Sequence, residues 1–143
     1  MQLTERARGP AALWPLRRPE GLLRLLKFGV VGGSGVLVNL GLLALLHDAA
    51  GLPLLAAAAL SFEASVANNY LWNDFWTFAT RSPSPRRLLK FNLVSLGSMA
   101  VSLSVLHSLT ALTACHYLLA ALSGIALGFL ASFSLNCLWT WRR

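Results

Sequence analysis

The chain has 143 residues, the length of one ordinary domain. Only 12% of them are charged and the mean hydropathy is +0.61, whereas about a quarter of a soluble globular chain is charged. That balance excludes a soluble domain. A net charge of +7 would suit a nucleic-acid surface, but the basic residues collect beside apolar runs, where they meet anionic lipid headgroups.

Residues 1–21 read as a disordered basic tail. The string "ARGPAALWPLRRPEG" contains no apolar run long enough for a signal peptide, and Pro10, Pro15 and Pro19 interrupt it. Residues 22–143 form the membrane domain. A bilayer-crossing helix needs roughly 20 mostly apolar residues, and four stretches supply them: 25–46, 52–72, 88–112 and 117–138. The breaks fall at "HDAAGLP", "FATRSPSPRR" and "TACH". No Asp, Glu, Lys or Arg occurs from Phe91 to Trp141, a length that crosses a ~30 Å hydrocarbon core twice. The expected fold is therefore all-α and integral to the membrane, with four transmembrane helices.

All 12 Lys and Arg residues lie before or at the very start of the first stretch, between the second and the opening residues of the third, or after the fourth. The other two connections have none. This asymmetry places both termini and the middle loop on the cytoplasmic side of an inner or plasma membrane.

The chain also repeats itself. "RLLKF" occurs at 24–28 and again at 87–91, and "NDFWTF" at 73–78 is echoed by "NCLWTW" at 136–141, each pair 63 positions apart. Each copy, about 24–78 and 87–141, contains two spans, so both enter from the same face. They form two parallel-oriented two-helix repeats about an axis along the membrane normal. Arg24 with Lys27 and Arg87 with Lys90 share helix faces at three-residue spacing. Such pairs either anchor the helix at the headgroups or grip a lipid phosphate.

Glu63 lies about eleven positions into the second stretch, where a charged side chain costs at least ~2.5 kcal/mol on insertion scales. No Lys or Arg reaches that depth. Its expected partners are hydroxyls, amides such as Asn39, or a ligand in a cavity. Asn69, Asn73 and Asn136 also need partners so close to hydrocarbon. Small residues at four-residue spacing, Gly29 with Gly33 and Gly124 with Gly128, predict close helix approach. Cys115 and Cys137 sit at opposite ends of the fourth stretch, too far apart to pair. His47, Asp48 and His116 fall short of a metal-ligand set, and no nucleophile has a base at a readable spacing. Neither enzymatic activity nor a cofactor is expected.

The run "RLLKFGVVGGSGVLVNLGLLALL", followed by "ASVANNYLWNDFWTF" and a second copy, resembles the GtrA-like family of small polytopic membrane proteins. The likeness extends over about 22–142. It implies translocation of a polyprenyl-phosphate-linked sugar, of undecaprenyl type, for cell-surface polysaccharide synthesis, with a polyprenyl-phosphate glycosyltransferase as partner. The alternative is a non-transporting anchor or activator of that transferase. On this reading Arg24, Lys27, Arg87 and Lys90 bind the lipid phosphate. Asn39, Glu63, Asn69, Trp72, Asn73, Trp76, Asn136 and Trp139 line a polar groove for the sugar, and the thin four-helix wall points to a homodimer. Relatives often carry Arg where this chain has Asp74 and Cys137, so a clamp built on those arginines is not expected here, and Asp74 is expected to repel a phosphate.

Overall fold

A computed structural model describes residues 19–80, 82–113 and 115–142. The tail before residue 19, Arg81 and Arg143 lie outside the described residues. Four helices follow in order: α1 (Pro19–Ala44), α2 (Leu54–Trp72), α3 (Pro85–Leu112) and α4 (Tyr117–Leu135). No strand occurs among the described residues.

The local chemistry sets the boundaries. Glu20 in the first turn of α1 favours the positive end of the helix. Pro85 opens α3 at a position where its missing N–H has no helical partner to lose. Between α1 and α2, Gly51 takes φ +70°, a conformation cheap only for glycine, and the turn closes where Leu52 N donates to Leu46 O at 2.9 Å. Three helices are widened by one π-turn at their C-terminal ends: Leu45–Ala49, Asn73–Thr77 and Asn136–Thr140. The last two repeat each other bond for bond. Phe78 N donates to Asn73 O at 2.8 Å, and Trp141 N to Asn136 O at 2.9 Å.

The helices pack as two antiparallel hairpins. Lys27 meets Trp76, and Ser34 meets Asn68, so α1 and α2 run in opposite senses. Lys90 meets Trp139, and Ser102 lies against Gly124, which orients α3 against α4. The hairpins join at the end that carries the basic residues, through a cluster of Phe28, Val66, Tyr70, Phe78, Phe91, Phe133 and Trp141. Elsewhere most large apolar side chains are exposed, as expected of a surface solvated by lipid. Three helical segments are long and apolar enough to cross a membrane: Glu20–Ala49, Pro85–Leu112 and Leu118–Thr140. α2 is not among them. Its 19 residues include Glu63, Asn68 and Asn69, which lower its apolarity.

Close approach is confined to particular glycines. A Cβ on Gly128 would meet Ser102 Oγ and stand 2.8 Å from the Ser98 carbonyl, and one on Gly124 would strike the Ser102 carbonyl. The α3 and α4 backbones therefore touch where Gly124 and Gly128 predict. The first pair behaves differently: Gly33 faces open space and Gly29 makes only ordinary contact with Phe129. In α1 it is Gly35 that admits a neighbour, the amide of Asn69. Gly124→Ala or Gly128→Ala should cost about 1–3 kcal/mol by overpacking, whereas Gly33→Ala should cost nothing measurable. Thermal unfolding of the detergent-solubilised protein distinguishes the two.

Candidate functional site

The two "RLLKF" lysines occupy matching places. Lys27 Nζ lies 5.3 Å from the centroid of the Trp76 ring, and Lys90 Nζ lies 5.2 Å from that of Trp139. Lys90 also donates to the Trp139 carbonyl at 3.3 Å. Each indole holds an ammonium by cation–π attraction without neutralising it. Both lysines therefore keep their charge for another anion.

The arginines have parted roles. Arg24 is half-exposed and, among the described residues, pairs with exposed Glu20 at 3.6 Å, a contact worth little. Arg87 is committed inward. Its Nε approaches Asp74 Oδ1 at 3.1 Å, and its NH2 group donates to the Ser82 carbonyl. Asp74 is 0% exposed, and the same Oδ1 accepts from Trp141 Nε1 at 2.9 Å. Trp141 is stacked on Phe78 at 4.2 Å with 8° between planes, and Phe91 meets it edge-on at 5.6 Å. Tyr70 O–H donates to the Ser84 carbonyl at 3.0 Å and accepts from Ser84 N at 2.7 Å, fixing the residue that precedes α3, whose first turn carries Arg87. Arg87 is thus a structural cation. Asp74, already paired, does not act as the bare negative charge expected from its position in the sequence.

Between the hairpins lies a cavity of about 250 Å³. Its polar wall comprises Asn69, Asn73, Ser95, Ser98, Ser102 and Ser132, and its apolar wall includes Phe28, Phe91 and Phe129. Asn73 is 1% exposed and Asn136, just beneath Ser132, is 0% exposed. Asn136 Nδ2 donates to Ser132 Oγ at 3.3 Å. Yet Asn73 Oδ1, Asn136 Oδ1, Thr77 Oγ1 and Thr140 Oγ1 have no hydrogen-bond partner among the described residues. An unpaired buried polar group costs about 1–3 kcal/mol. Four of them, equivalent in pairs across the 63-residue offset, mark a polar interior that calls for water or a ligand.

The remaining expected site residues divide. Trp72 and Trp76, with Phe75, Val30, Val31 and Ser34, wall a lipid-facing groove of about 550 Å³ beside Lys27. Trp139 stays with Lys90. Asn39 lies partly buried further along α1 and lines none of these cavities. Glu63 is exposed on α2 and accepts from Asn92 Nδ2 at 2.7 Å, so its amide partner is Asn92 and not Asn39. The sequence reading missed Asn92, the four serines and the Asp74–Arg87–Trp141 cluster. The offset held a signal for the last, since Asp74 aligns with Cys137 and breaks the likeness of the two halves. Among the described residues no group of three His, Cys, Asp or Glu side chains is placed to hold a metal, and both cysteines are free.

Removing the guanidinium in Arg87→Ala leaves Asp74 buried and uncompensated, and should destabilise the fold by about 3–5 kcal/mol. Arg24→Ala should leave stability unchanged. Equilibrium unfolding in mixed micelles measures both.

A family model described as the GtrA/DPMS transmembrane domain matches residues 27–142. A Pyrococcus furiosus protein named dolichol-phosphate mannosyltransferase is 39% identical over 132 residues, covering 90% of this chain and 37% of that protein. An uncharacterized membrane protein of Bacillus subtilis, YngA, is 26% identical over 121 residues, covering 84% of this chain and 80% of its own length. The chain thus spans little more than a third of the first relative and most of the second.

Proposed function

The chain belongs to the GtrA/DPMS transmembrane-domain family, and we propose that it carries a polyprenyl-phosphate-linked sugar from the cytoplasmic to the outer leaflet for cell-surface polysaccharide synthesis. It does so as four transmembrane helices in two like-oriented repeats. α2 crosses with its polar side chains turned toward α1 and α3, where Ser65 Oγ bonds the Gly35 carbonyl at 2.8 Å and Asn68 bonds Ser34 at 3.2 Å. A polar group satisfied by a neighbouring helix is tolerated at membrane depth.

The observation that carries this reading is the polar-walled cavity between the hairpins, which Asn69 and Asn73 line, together with the buried Asn73 and Asn136 oxygens that have no partner among the described residues. A membrane protein that only needed four packed helices would fill that space with apolar side chains, because each orphan oxygen costs stability. The cations gather the phosphate at the cytoplasmic face: Lys27, Lys90 and Arg24 serve, while Arg87 holds the fold. Asn69, Asn73 and Asn136 hydrogen-bond the polar headgroup as it leaves water. Trp72, Trp76 and Trp139 sit at the interface, where an indole can face a sugar ring, and Asn39 meets the headgroup nearer the outer side. The prenyl chain remains in lipid, with the groove beside Trp72 and Trp76 as its nearest surface. A polyprenyl-phosphate glycosyltransferase supplies the substrate on the inner side, and a second copy of the chain thickens the four-helix wall.

One finding favours a second reading. The P. furiosus relative bears the name of a mannosyltransferase, and the matched region is only 37% of it. In that protein a domain of this kind belongs to a chain named for sugar transfer. A domain that docks or activates a transferase would also need the basic collar, but not the polar interior.

Purified protein in liposomes with a labelled undecaprenyl-phosphate sugar separates the two. Translocation should be measurable, and Lys27→Ala and Asn73→Leu should each slow it about tenfold, the loss of one charge-assisted or buried hydrogen bond. Wild-type protein that moves no lipid but accelerates an added transferase would establish the docking role.

A further inference from the structure

The hairpins meet along two seams, α2 against α3 and α1 against α4. The 63-residue offset exchanges them: Gly29 aligns with Asn92, Glu63 with Ala126, and Val66 with Phe129. If the two halves were equivalent, both seams would offer a headgroup the same chemistry. They do not.

The α1–α4 seam is apolar. Gly29 lies against the Phe129 ring, 3.6 Å from where its Cβ would stand. Phe28 packs on Phe129 and Phe133 at centroid distances of 5.8 and 5.6 Å. The α2–α3 seam instead holds the Asn92–Glu63 hydrogen bond of 2.7 Å, with the Glu63 side chain left exposed. A carboxyl group in hydrocarbon is costly, and its two oxygens offer about four acceptor sites. Asn92 fills one. The second Glu63 oxygen and the Asn92 carbonyl oxygen make no hydrogen bond among the described residues. The pair therefore presents acceptors in excess, against the one N–H left on the Asn92 amide. A phosphate, itself rich in acceptors and negative charge, does not complement it. A ring of hydroxyl groups does.

The same seam is hollow on the side of the basic end. A cavity of about 390 Å³ is walled by Ala67, Tyr70, Ser84 and Leu88 among others. Ala67 stands one helical turn from Glu63, and Leu88 about one turn from Asn92, so the cavity and the polar pair adjoin along both helices. A headgroup entering beside the loop at Ser84 would next meet the carboxyl–amide pair.

We infer that Glu63 and Asn92 form a hydroxyl-binding station for the sugar of the lipid headgroup, on the α2–α3 seam alone. This rests on the lipid-linked sugar being the cargo. The station reads the sugar, whereas the cations at the basic end read the phosphate, so recognition of the two moieties is divided between separate residues. The duplicated chain has one sugar path and not two.

Native mass spectrometry of the purified full chain tests this, using undecaprenyl phosphate and a panel of undecaprenyl-phosphate hexoses and pentoses as probes. Wild type should prefer at least one glycosylated lipid about tenfold over the bare lipid phosphate, the worth of roughly one hydrogen bond. Glu63→Ala and Asn92→Leu should erase that preference while binding the bare lipid as wild type does. Glu63→Gln, which keeps an acceptor, should retain part of it, and Gly29→Ala on the opposite seam should retain all of it. Variants that keep the full preference would overturn the station, as would variants that lose both lipids together with thermal stability or an oligomer, since the pair would then be helix-packing glue. A Gly29→Ala protein without preference would overturn the single seam. Wild type that binds the lipids without discrimination removes the station but leaves translocation standing. Wild type that binds neither removes both.

Discussion

Asp74 holds the two hairpins together where they meet. Its carboxyl group is wholly buried, yet it receives the Arg87 guanidinium from the start of α3 and the Trp141 indole from beyond α4. These partners come from three separate parts of the chain, so the contact can form only when both hairpins are in register. A buried ion pair is seldom a net gain over apolar packing, but breaking one partner out of it is severe. The contact thus acts more as a specification than as a source of stability: it admits one arrangement of the basic end and penalises others. The stacked Phe78, Trp141 and Tyr70 rings and the Tyr70–Ser84 bonds surround it and keep water away.

That constraint divides the cations. An arginine and a lysine stand near the start of both α1 and α3, but the Asp74 carboxyl group takes Arg87 for the fold, and Cys137, which aligns with Asp74 at the 63-residue offset, makes no such demand on Arg24. Lys27 and Lys90 remain alike, each beside its own tryptophan. The same divergence recurs at greater depth, where Glu63 and Asn92 stand opposite each other and their aligned positions are Ala126 and Gly29. Across the 63-residue offset the Lys–Trp contacts at the basic end match, while the polar residues between differ. Asymmetry of this kind lets a single substrate be gripped at different points by different chemistry.

Much of the fold was legible in the sequence. The breaks at "HDAAGLP", "FATRSPSPRR" and "TACH" coincide with the three connections, because Pro, Gly and clustered polar residues end a helix for local reasons. The Lys27–Trp76 and Lys90–Trp139 contacts obey the 63-residue offset, although the sequence does not by itself bring lysine and tryptophan together. The glycines were only half legible: Gly124 and Gly128 admit the backbone of α3, but in α1 the close neighbour falls at Gly35 and not at Gly29 or Gly33. Four-residue spacing marks a face without saying what lies against it. The partners of Glu63 and Asp74 were hidden for a similar reason. Asn92 and Arg87 lie 29 and 13 positions away, and no periodicity within one helix can point to a residue on another. Glu63, Asn68 and Asn69 keep α2 out of the group of helices whose length and apolarity alone suffice to cross a membrane.

The polar content of α2 is itself the clearest link between fold and use. A helix lodged between two others is free to carry side chains that lipid would reject, provided its neighbours answer them. α1 answers on one side, through Gly35, Ser34 and the space at Gly35 for Asn69. α3 answers on the other, through Asn92 alone, and leaves acceptors over. Inward, at the π-turn, Asn73 and Thr77 go unanswered. The deficit therefore grows from the α1 face of the helix toward the space between the hairpins. A sequence selected only to pack would have removed that gradient one substitution at a time. That deficit lies along a helix bordering both the cavity and the α2–α3 seam, and the polar headgroup of the proposed cargo would supply the groups that complete those hydrogen bonds.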